Sequence, residues 1–476
     1  MSIYESYEAV IGIEIHAELN TRSKIFCSCP TDFGAEPNTQ VCPVCLGLPG
    51  TLPRLNRRAV ELAVKAGLCL NCDISNISYH DRKNYFYPDL PKSYQISQFD
   101  RPLCTNGYIE IGTGEKKRTV GITRIHIEED AGKLIHRGSD TLIDCNRCGV
   151  PLIEIVSEPH IRSGAEAVAY VKKLRSILLF AGISQCRMNE GNLRCDINLS
   201  VRKPGEPLGT RCELKNLNSF RFIEKAIEYE TKRQIDVLES GGEVLMETRR
   251  FDETLQRTFS MRKKESQSQY RFFREPDLPA LCISDEDIEE IRASIPSLPD
   301  ERRTMYLEKY SIPLSDGETL TEEKEISDYF EKAAALSRFP RLVSNMIISE
   351  LLGIMEAGDS IFRIAPEHLA SVADLAGSNT INSATAKKLI RDMWTEDFEP
   401  VSRVKEDGLA QINDPETVRR FVISAIEKSE KAVQDYKKGK TTAARSIVGR
   451  AMGESRGRAN PELVAQLVEE ELSSRL

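Results

Sequence analysis

The sequence predicts an α+β region over residues 1–293, a mixed or antiparallel sheet with helices, followed by two all-α regions over 294–406 and 407–476. Three features carry that expectation. VIGIEIHAEL (10–19) and RCDINLSVR (194–202) alternate apolar and polar residues with period two, as half-buried strands do. AEAVAYVKKLRSILLFAGI (165–183) instead has helical spacing, begins with Ser163 and Glu166 at capping-box distance and stops at Gly182. Beyond Pro296 the strand-like alternation nearly disappears, and amphipathic segments follow one another from PDERRTMYLEKY onward.

A second long helix is expected over about 219–240, closed by Gly241-Gly242, with its charged face solvated. EDGLAQINDP, near residue 405, separates the two helical regions. Asn460-Pro461-Glu462 reads as a helix start: a capping side chain, proline at the first helical position and an acid at the positive dipole end. Neither an internal repeat nor a low-complexity tract is evident.

The chain has 476 residues and 40% apolar content, too long for one compact domain and apolar enough for several cores. Its net charge of −8 provides no global field for a nucleic acid, so any RNA contact must come from local patches. The opening residues lack a basic leader, and Glu5, Glu8 and Glu14 interrupt the apolar run, unlike a signal peptide. No stretch is long and apolar enough for a membrane span, so a soluble, cytoplasmic protein without a membrane partner is expected. Thirteen cysteines suit reduced thiols, some of them on metal, better than a disulfide framework.

Cys27, Cys29, Cys42 and Cys45 form C-x-C-x12-C-x2-C, two close pairs joined by a loop with the turn residues a zinc knuckle needs. Four thiolates would close the shell of a structural zinc; the alternative is four buried free cysteines. The pairs Cys69/Cys72 and Cys145/Cys148 are taken as incidental. Several acids lie in strand-like segments with apolar flanks: Glu14 beside His16, the run Glu128-Glu129-Asp130, Glu154, Asp196 and Glu213. Carboxylates gathered at the margin of a core need a cation, and magnesium suits oxygen ligands and a phosphoryl transfer. His16 is the awkward member, imidazole being softer than magnesium prefers. The other reading makes each acid a surface or ion-paired group. No Walker loop is present.

DRKNYFYPDLPKSYQISQFD (81–100) interleaves Arg82, Lys83 and Lys92 with Tyr85, Phe86, Tyr87, Tyr94 and Phe99. Such a segment fits either stacking on unpaired RNA bases or a rigid core loop pinned by prolines. MRKKESQSQYRFFREPDLP (261–279) repeats the pattern. Lys431, Lys437, Lys438, Lys440, Arg445, Arg450, Arg456 and Arg458 meet only Asp435 and Glu454 over 431–458, a patch for a phosphate backbone or a merely solubilising face.

VIGIEIHAEL, DRKNYFYPDLPKSYQISQ, GITRIHIEEDAGK, GVPLIEIVSEP, EGNLRCDINLS, ELKNLNSFRFIEKAIEYE, ETRRFDE, YRFFREPDLP and VGRAMGESRGRANPELV together resemble the B-subunit family of aspartyl/glutamyl-tRNA amidotransferases, in its order and over essentially the whole chain. The resemblance implies a catalytic cradle domain, a helical domain and a tail domain that binds tRNA. It implies a ligase of protein biosynthesis that uses ATP and magnesium to phosphorylate the side-chain carboxyl of Glu-tRNA(Gln), or Asp-tRNA(Asn). Ammonia from a glutaminase A subunit would then displace phosphate, in a heterotrimer braced by a small C subunit. By motif position it implies a catalytic and metal set of Glu14, His16 and Glu129, with Glu154, Asp196 and Glu213, Glu128 being a close competitor of Glu129. Lys83 and Lys92, with Tyr85 and Tyr87, would line the ammonia passage or hold the acceptor end. The four cysteines resemble the zinc site of some members. His160 and Cys148 depart from the family pattern. Two other readings remain: a non-catalytic tRNA-binding scaffold and, more weakly, a zinc-dependent hydrolase, which a closed cysteine shell opposes.

Overall fold

VIGIEIHAEL becomes the middle of a nine-stranded sheet, in a computed structural model that describes residues 3–112, 117–263, 270–355, 362–437, 440–455 and 457–474. In chain order the strands are β1 (Glu8–Glu18), β2 (Asp73–Ile74), β3 (Ile77–Ser78), β4 (Asp81–Asn84), β5 (Tyr94–Ser97), β6 (Cys104–Ile111), β7 (Arg118–Glu129), β8 (Lys133–Arg137), β9 (Asp140–Asp144), β10 (Pro151–Ser157), β11 (Leu193–Arg202), β12 (Cys212–Lys215), β13 (Glu247–Asp252), β14 (Arg257–Lys263), β15 (Phe273–Arg274) and β16 (Leu281–Cys282). The large sheet runs β14-β13-β12-β11-β1-β10-β7-β6-β2. Its β12–β13 pair is parallel and the other neighbours are antiparallel, so the sheet is mixed, as expected.

Period-two alternation sorts β1 between two environments. Ile11, Ile13, Ile15 and Ala17 are buried in the main apolar cluster, while Glu14, His16 and Glu18 on the other face are only partly covered. On β11 Cys195, Ile197 and Leu199 go inward, and Arg194, Asp196 and Asn198 share the polar face of β1. Three helices contribute to the apolar cluster: α1 (Arg57–Cys69), α2 (Gly164–Phe180) and α3 (Phe220–Glu239). One sheet face is thus covered by helices, and the other is left for polar groups.

The Ser163 hydroxyl accepts from the Glu166 amide at 3.2 Å, but the Glu166 carboxylate takes the Arg162 amide rather than that of Ser163. Only half of the predicted capping box forms. Gly182 follows the end of α2 at φ +69, where a side chain would be strained. The charged face of α3 is solvated as expected, with Arg221, Glu224, Glu228, Lys232, Asp236 and Glu239 exposed. On its buried side the helix also carries Glu230 and Gln234, both fully buried, with Glu230 bonded by Arg233 and by Thr258 of β14, so that its charge is paired.

Two short strands, β4 and β15, join the two basic-aromatic segments: Arg82 pairs with Phe273, and its guanidinium grips Glu275 at 2.7 and 2.8 Å. Beside them His80 is buried, its ring edge-on to Phe26, with neither ring nitrogen hydrogen-bonded. Burial pulls its pKa down to about 4, against weaker opposition from Asp81 and Glu275. Below pH 6.5 the unfolded chain takes up a proton that the folded one refuses, so stability falls from pH 6.5 to 4 and then levels off. His80→Leu should abolish that component, worth about 3 kcal/mol at pH 4. Urea unfolding of both proteins at pH 7 and pH 5 checks it: equal losses would show that His80 is not the titrating group.

The chain divides into two compact units, Met1–Pro299 and Asp300–Leu476. Ile295 and Leu298 still pack against the first unit's core, so that unit extends past residue 293. The second unit is helical among its described residues and holds two apolar clusters, one from Tyr306 to Val404 and one from Val418 to Leu472. EDGLAQINDP lies between helices Pro400–Glu406 and Pro415–Glu427, and the Asn460 side chain caps helix Pro461–Ser473 as its sequence indicates.

Candidate active site

On the polar face, register places His16 opposite Glu154 of β10 and Arg194 of β11, and Glu154 opposite His126 of β7. His16 Nε2 lies 3.3 Å from both Glu128 and Glu154, and His126 Nε2 lies 3.4 Å from Glu154. Burial alone would lower the His16 pKa, but hydrogen bonds to Glu128 and Glu154 raise it to about 10. Burial alone would raise Glu128, yet His126 and His16 hold it well below the usual carboxylate range. Ligand atoms of His16, Glu128 and Glu154 lie within 4.8 Å of one another, so one cation could bridge them.

Glu129, the residue preferred by motif position, is not part of this group. Parity along β7 sends it to the opposite face from Glu128, where it pairs with Lys92 and accepts the Ile96 amide at 2.9 Å. Glu128 takes the place beside His16. Because Glu128 shares the parity of His126 in IHIEE, period two alone distinguishes the two acids, and His126 is the member that sequence reasoning missed.

The remaining acids form a second group on the same face. Glu14, directly opposite Asp196, gathers with Asp196 and Glu213 within 4.8 Å, three carboxylates without an imidazole. Asn198 donates to Glu14 at 2.8 Å and Thr248 to Glu213 at 2.7 Å, fixing both. Lys215 pairs with Asp196 and lies 3.7 Å from Glu213, a contact that the sequence did not signal. The single set expected from sequence therefore splits into two, one all-oxygen and one containing His16. Oxygen-only donors suit magnesium well; the imidazole makes the first group the softer of the two.

Cys27, Cys29, Cys42 and Cys45 also bring their sulfurs within 4.8 Å of one another, and no cysteine of the chain is in a disulfide. Hydrogen bonding from Cys27 draws Cys45 down to about 4 in spite of burial. Four thiols so close fit the tetrahedral thiolate shell of zinc. Lys24, fully buried, points its ammonium at Cys45 Sγ (3.6 Å) and the Cys145 carbonyl (3.2 Å). Cys145 and Cys148 thus stand beside the four cysteines without joining them. Gly47, at φ +66, lies so near Lys92 that a Cβ would come within 2.5 Å of Lys92 Cγ. Lys24, Cys45, Gly47, Lys92 and Glu129 border a cavity of about 140 Å³.

Lys83 lies 5.3 Å over the Tyr270 ring, and Tyr85 meets Tyr270 edge-on at 6.0 Å. Burial, then Asp89 and Glu128, keeps the Tyr85 phenol protonated far above its ordinary range. Phe86 and Tyr87 are exposed, at 78% and 54%. In the second unit Lys437, Lys440, Arg445, Arg450 and Arg458 are exposed, although Lys440 approaches Asp435 at 3.5 Å and Arg458 donates to the Gly408 carbonyl at 3.1 Å. Lys438 and Arg456 lie outside the described residues.

The chain that folds into this sheet and helical unit matches two family models: the GatB/GatE catalytic domain over residues 9–289 and the GatB domain over 328–472. The chain belongs to the family of B subunits of aspartyl/glutamyl-tRNA(Asn/Gln) amidotransferases. It is 52% identical to a protein of that name from Caldanaerobacter subterraneus subsp. tengcongensis, over 98% of this chain and 99% of the relative. Identity is 50% to the one from Caldicellulosiruptor saccharolyticus, over 98% and 99%. It is 48% to the one from Clostridium botulinum strain Alaska E43, over 98% and 100%. Among the described residues no helix is long and apolar enough to cross a membrane.

Proposed function

We propose that the chain is the activating subunit of a tRNA-dependent amidotransferase, converting Glu-tRNA(Gln), Asp-tRNA(Asn) or both to the amide in the cytoplasm. The carrying observation is the pair of carboxylate groups side by side on one sheet face. His16, Glu128 and Glu154 would hold one divalent cation, and Glu14, Asp196 and Glu213 magnesium. Magnesium there would neutralise the phosphates of ATP while the γ-phosphoryl passes to a side-chain carboxylate oxygen and ADP leaves. A carboxylate is a poor electrophile and oxide a very poor leaving group; phosphorylation remedies both, and ammonia then attacks the carbonyl carbon and expels phosphate.

The chain's own residues divide the remaining work. His126 positions Glu154 and Glu128 through the contacts above. The β4 and β15 segments, with Lys83, Tyr85 and Tyr87, offer rings and cations to an acceptor end, while Lys92 and Glu129 line a cavity suited to ammonia delivery. The four cysteines would hold a structural zinc. The exposed cations of the tail, including Lys437, Lys440, Arg445, Arg450 and Arg458, suit a tRNA backbone, which gives the tail past residue 406 a binding role distinct from that of the helical region before it. A glutaminase A subunit and a small C subunit would complete a heterotrimer.

Phosphate release from ATP by the complex assembled with both partners tests the reading. Release should require magnesium and the misacylated tRNA together. Release independent of both would leave the chain a tRNA-binding scaffold whose chemistry belongs to its partners.

A further inference from the structure

We infer that Gly47, in the loop that carries Cys42 and Cys45, is a positioning residue: it holds the stem of Lys92 so that the Lys92 ammonium stays on Glu129 beside the cavity they share. For its effect on amide formation the inference rests on the proposed reading of that cavity as an ammonia passage.

The acid is anchored independently of the lysine. Glu129 is the last residue of β7 in the large sheet; its side chain accepts from the Ile96 amide at 2.9 Å and its backbone carbonyl from the Gln95 side chain at 2.7 Å. Lys92 lies instead in the connection between β4 and β5, outside either strand. Its ammonium pairs with Glu129 and stands 5.7 Å from the Phe26 ring and 5.3 Å from that of Tyr94. Ring contacts at those distances are weak and orient a cation only loosely, which leaves the direction of the stem to whatever packs on its base.

Gly47 packs there. A Cβ on it would come within 2.5 Å of Lys92 Cγ and 3.2 Å of both the Cα and the backbone nitrogen of Lys92. These atoms form the root of the lysine, not its flexible end, so a side chain at residue 47 has to push Lys92 as a whole. Turns tie Gly47 to the cysteines before it: the Leu46 amide donates to the Cys42 carbonyl at 3.0 Å, the Gly47 amide to Val44 at 3.0 Å and the Leu48 amide to Pro43 at 2.9 Å. Val44, Cys45, Gly47 and Leu48 border the cavity together with Lys92 and Glu129, and Leu48 is also 49% exposed, so the loop is the layer between cavity and surface on that side. The four-cysteine loop therefore supplies the wall against which Lys92 is aimed. Gly50 of the same loop gives the contrast: its φ is +86, beside +66 at Gly47, but a Cβ there meets nothing within 4 Å. Gly50→Ala carries the backbone strain of a left-handed residue without touching Lys92.

The test compares Gly47→Ala and Gly50→Ala with wild type by acetic anhydride labelling of the full chain, read lysine by lysine by mass spectrometry. Lys92 should react roughly three- to tenfold faster in Gly47→Ala than in wild type and at the wild-type rate in Gly50→Ala. Lys24, fully buried at the same cavity, should stay unlabelled in all three. An unchanged Lys92 rate in Gly47→Ala, equal acceleration in both variants, or labelling of Lys24 beside Lys92 would overturn the positioning. In the complex assembled with its partners, Gly47→Ala should release more glutamate from glutamine per amide formed, and saturating ammonium chloride should bring amide formation back toward wild type. Faster labelling of Lys92 without that uncoupling would keep Gly47 as its positioning residue and would sink the ammonia reading of the cavity instead.

Discussion

Glu128→Gln is expected to lower tRNA-dependent phosphate release by about 100- to 1000-fold in the assembled complex, with glutamine hydrolysis and tRNA binding retained. The substitution preserves shape and removes one anionic oxygen. In the folded protein that oxygen lies 3.3 Å from His16, and the side chain is only 3% exposed, so no solvent can replace the lost charge. His16 and His126 lose the negative charge they share and one of them loses its acceptor, and the donor set of His16, Glu128 and Glu154 is reduced to one carboxylate. Glu129→Gln supplies the contrast. It breaks the pair with Lys92 on the other face and leaves His16 and Glu154 with all their contacts. Divalent-cation binding should therefore survive Glu129→Gln and decline with Glu128→Gln. The opposite ranking, measured by metal titration beside phosphate release, would return Glu129 to the metal set.

Removal of the zinc proposed for Cys27, Cys29, Cys42 and Cys45 should unfold this region of the first unit rather than stop the chemistry alone. Binding of a structural zinc is coupled to folding, with apparent free energies of about 10 kcal/mol or more in small zinc modules. Lys24 indicates why the effect should be large here. A fully buried ammonium requires an anionic neighbour, and four thiolates around a divalent cation carry two net negative charges beside it. Cys29→Ser, or prolonged chelation, withdraws that charge and loosens the loop whose Gly47 packs on Lys92. Calorimetry should show the unfolding transition of the first unit shifted down by ten degrees or more, on the order of several kcal/mol, and metal analysis should find one zinc per wild-type chain. A zinc-free protein that stays folded yet inactive would revive the hydrolase reading.

Legibility in the sequence followed the length scale of each signal. Period two in VIGIEIHAEL and RCDINLSVR identified two strands and sorted Glu14, His16 and Asp196 onto their polar sides, because pleating is a local property. The cysteine spacing worked for a similar reason: ligands in one short loop need little help from the remainder of the chain to meet. Helix ends at Ser163 and Asn460 were legible for the same cause, although the Glu166 carboxylate went to Arg162, a choice among neighbouring amides that spacing does not settle.

Other features depend on which strands become neighbours. β1 lies between β10 and β11, strands that begin more than 130 residues after its end. That pairing puts Glu154 against His16 and Asp196 against Glu14, and it divides one list of acids into two groups. Nothing local to Lys215, Lys24 or Glu230 announces a buried partner. The sequence by itself determined the fold class, the parity of the VIGIEIHAEL and RCDINLSVR strands and the family. Tertiary structure alone decided which carboxylates meet, that β7 brings Glu128 to His16 across β10, and which cations accompany them. The physical reason is that side-chain direction is set within a few residues, whereas charge pairing in a covered site is set by strand register between segments distant in the chain.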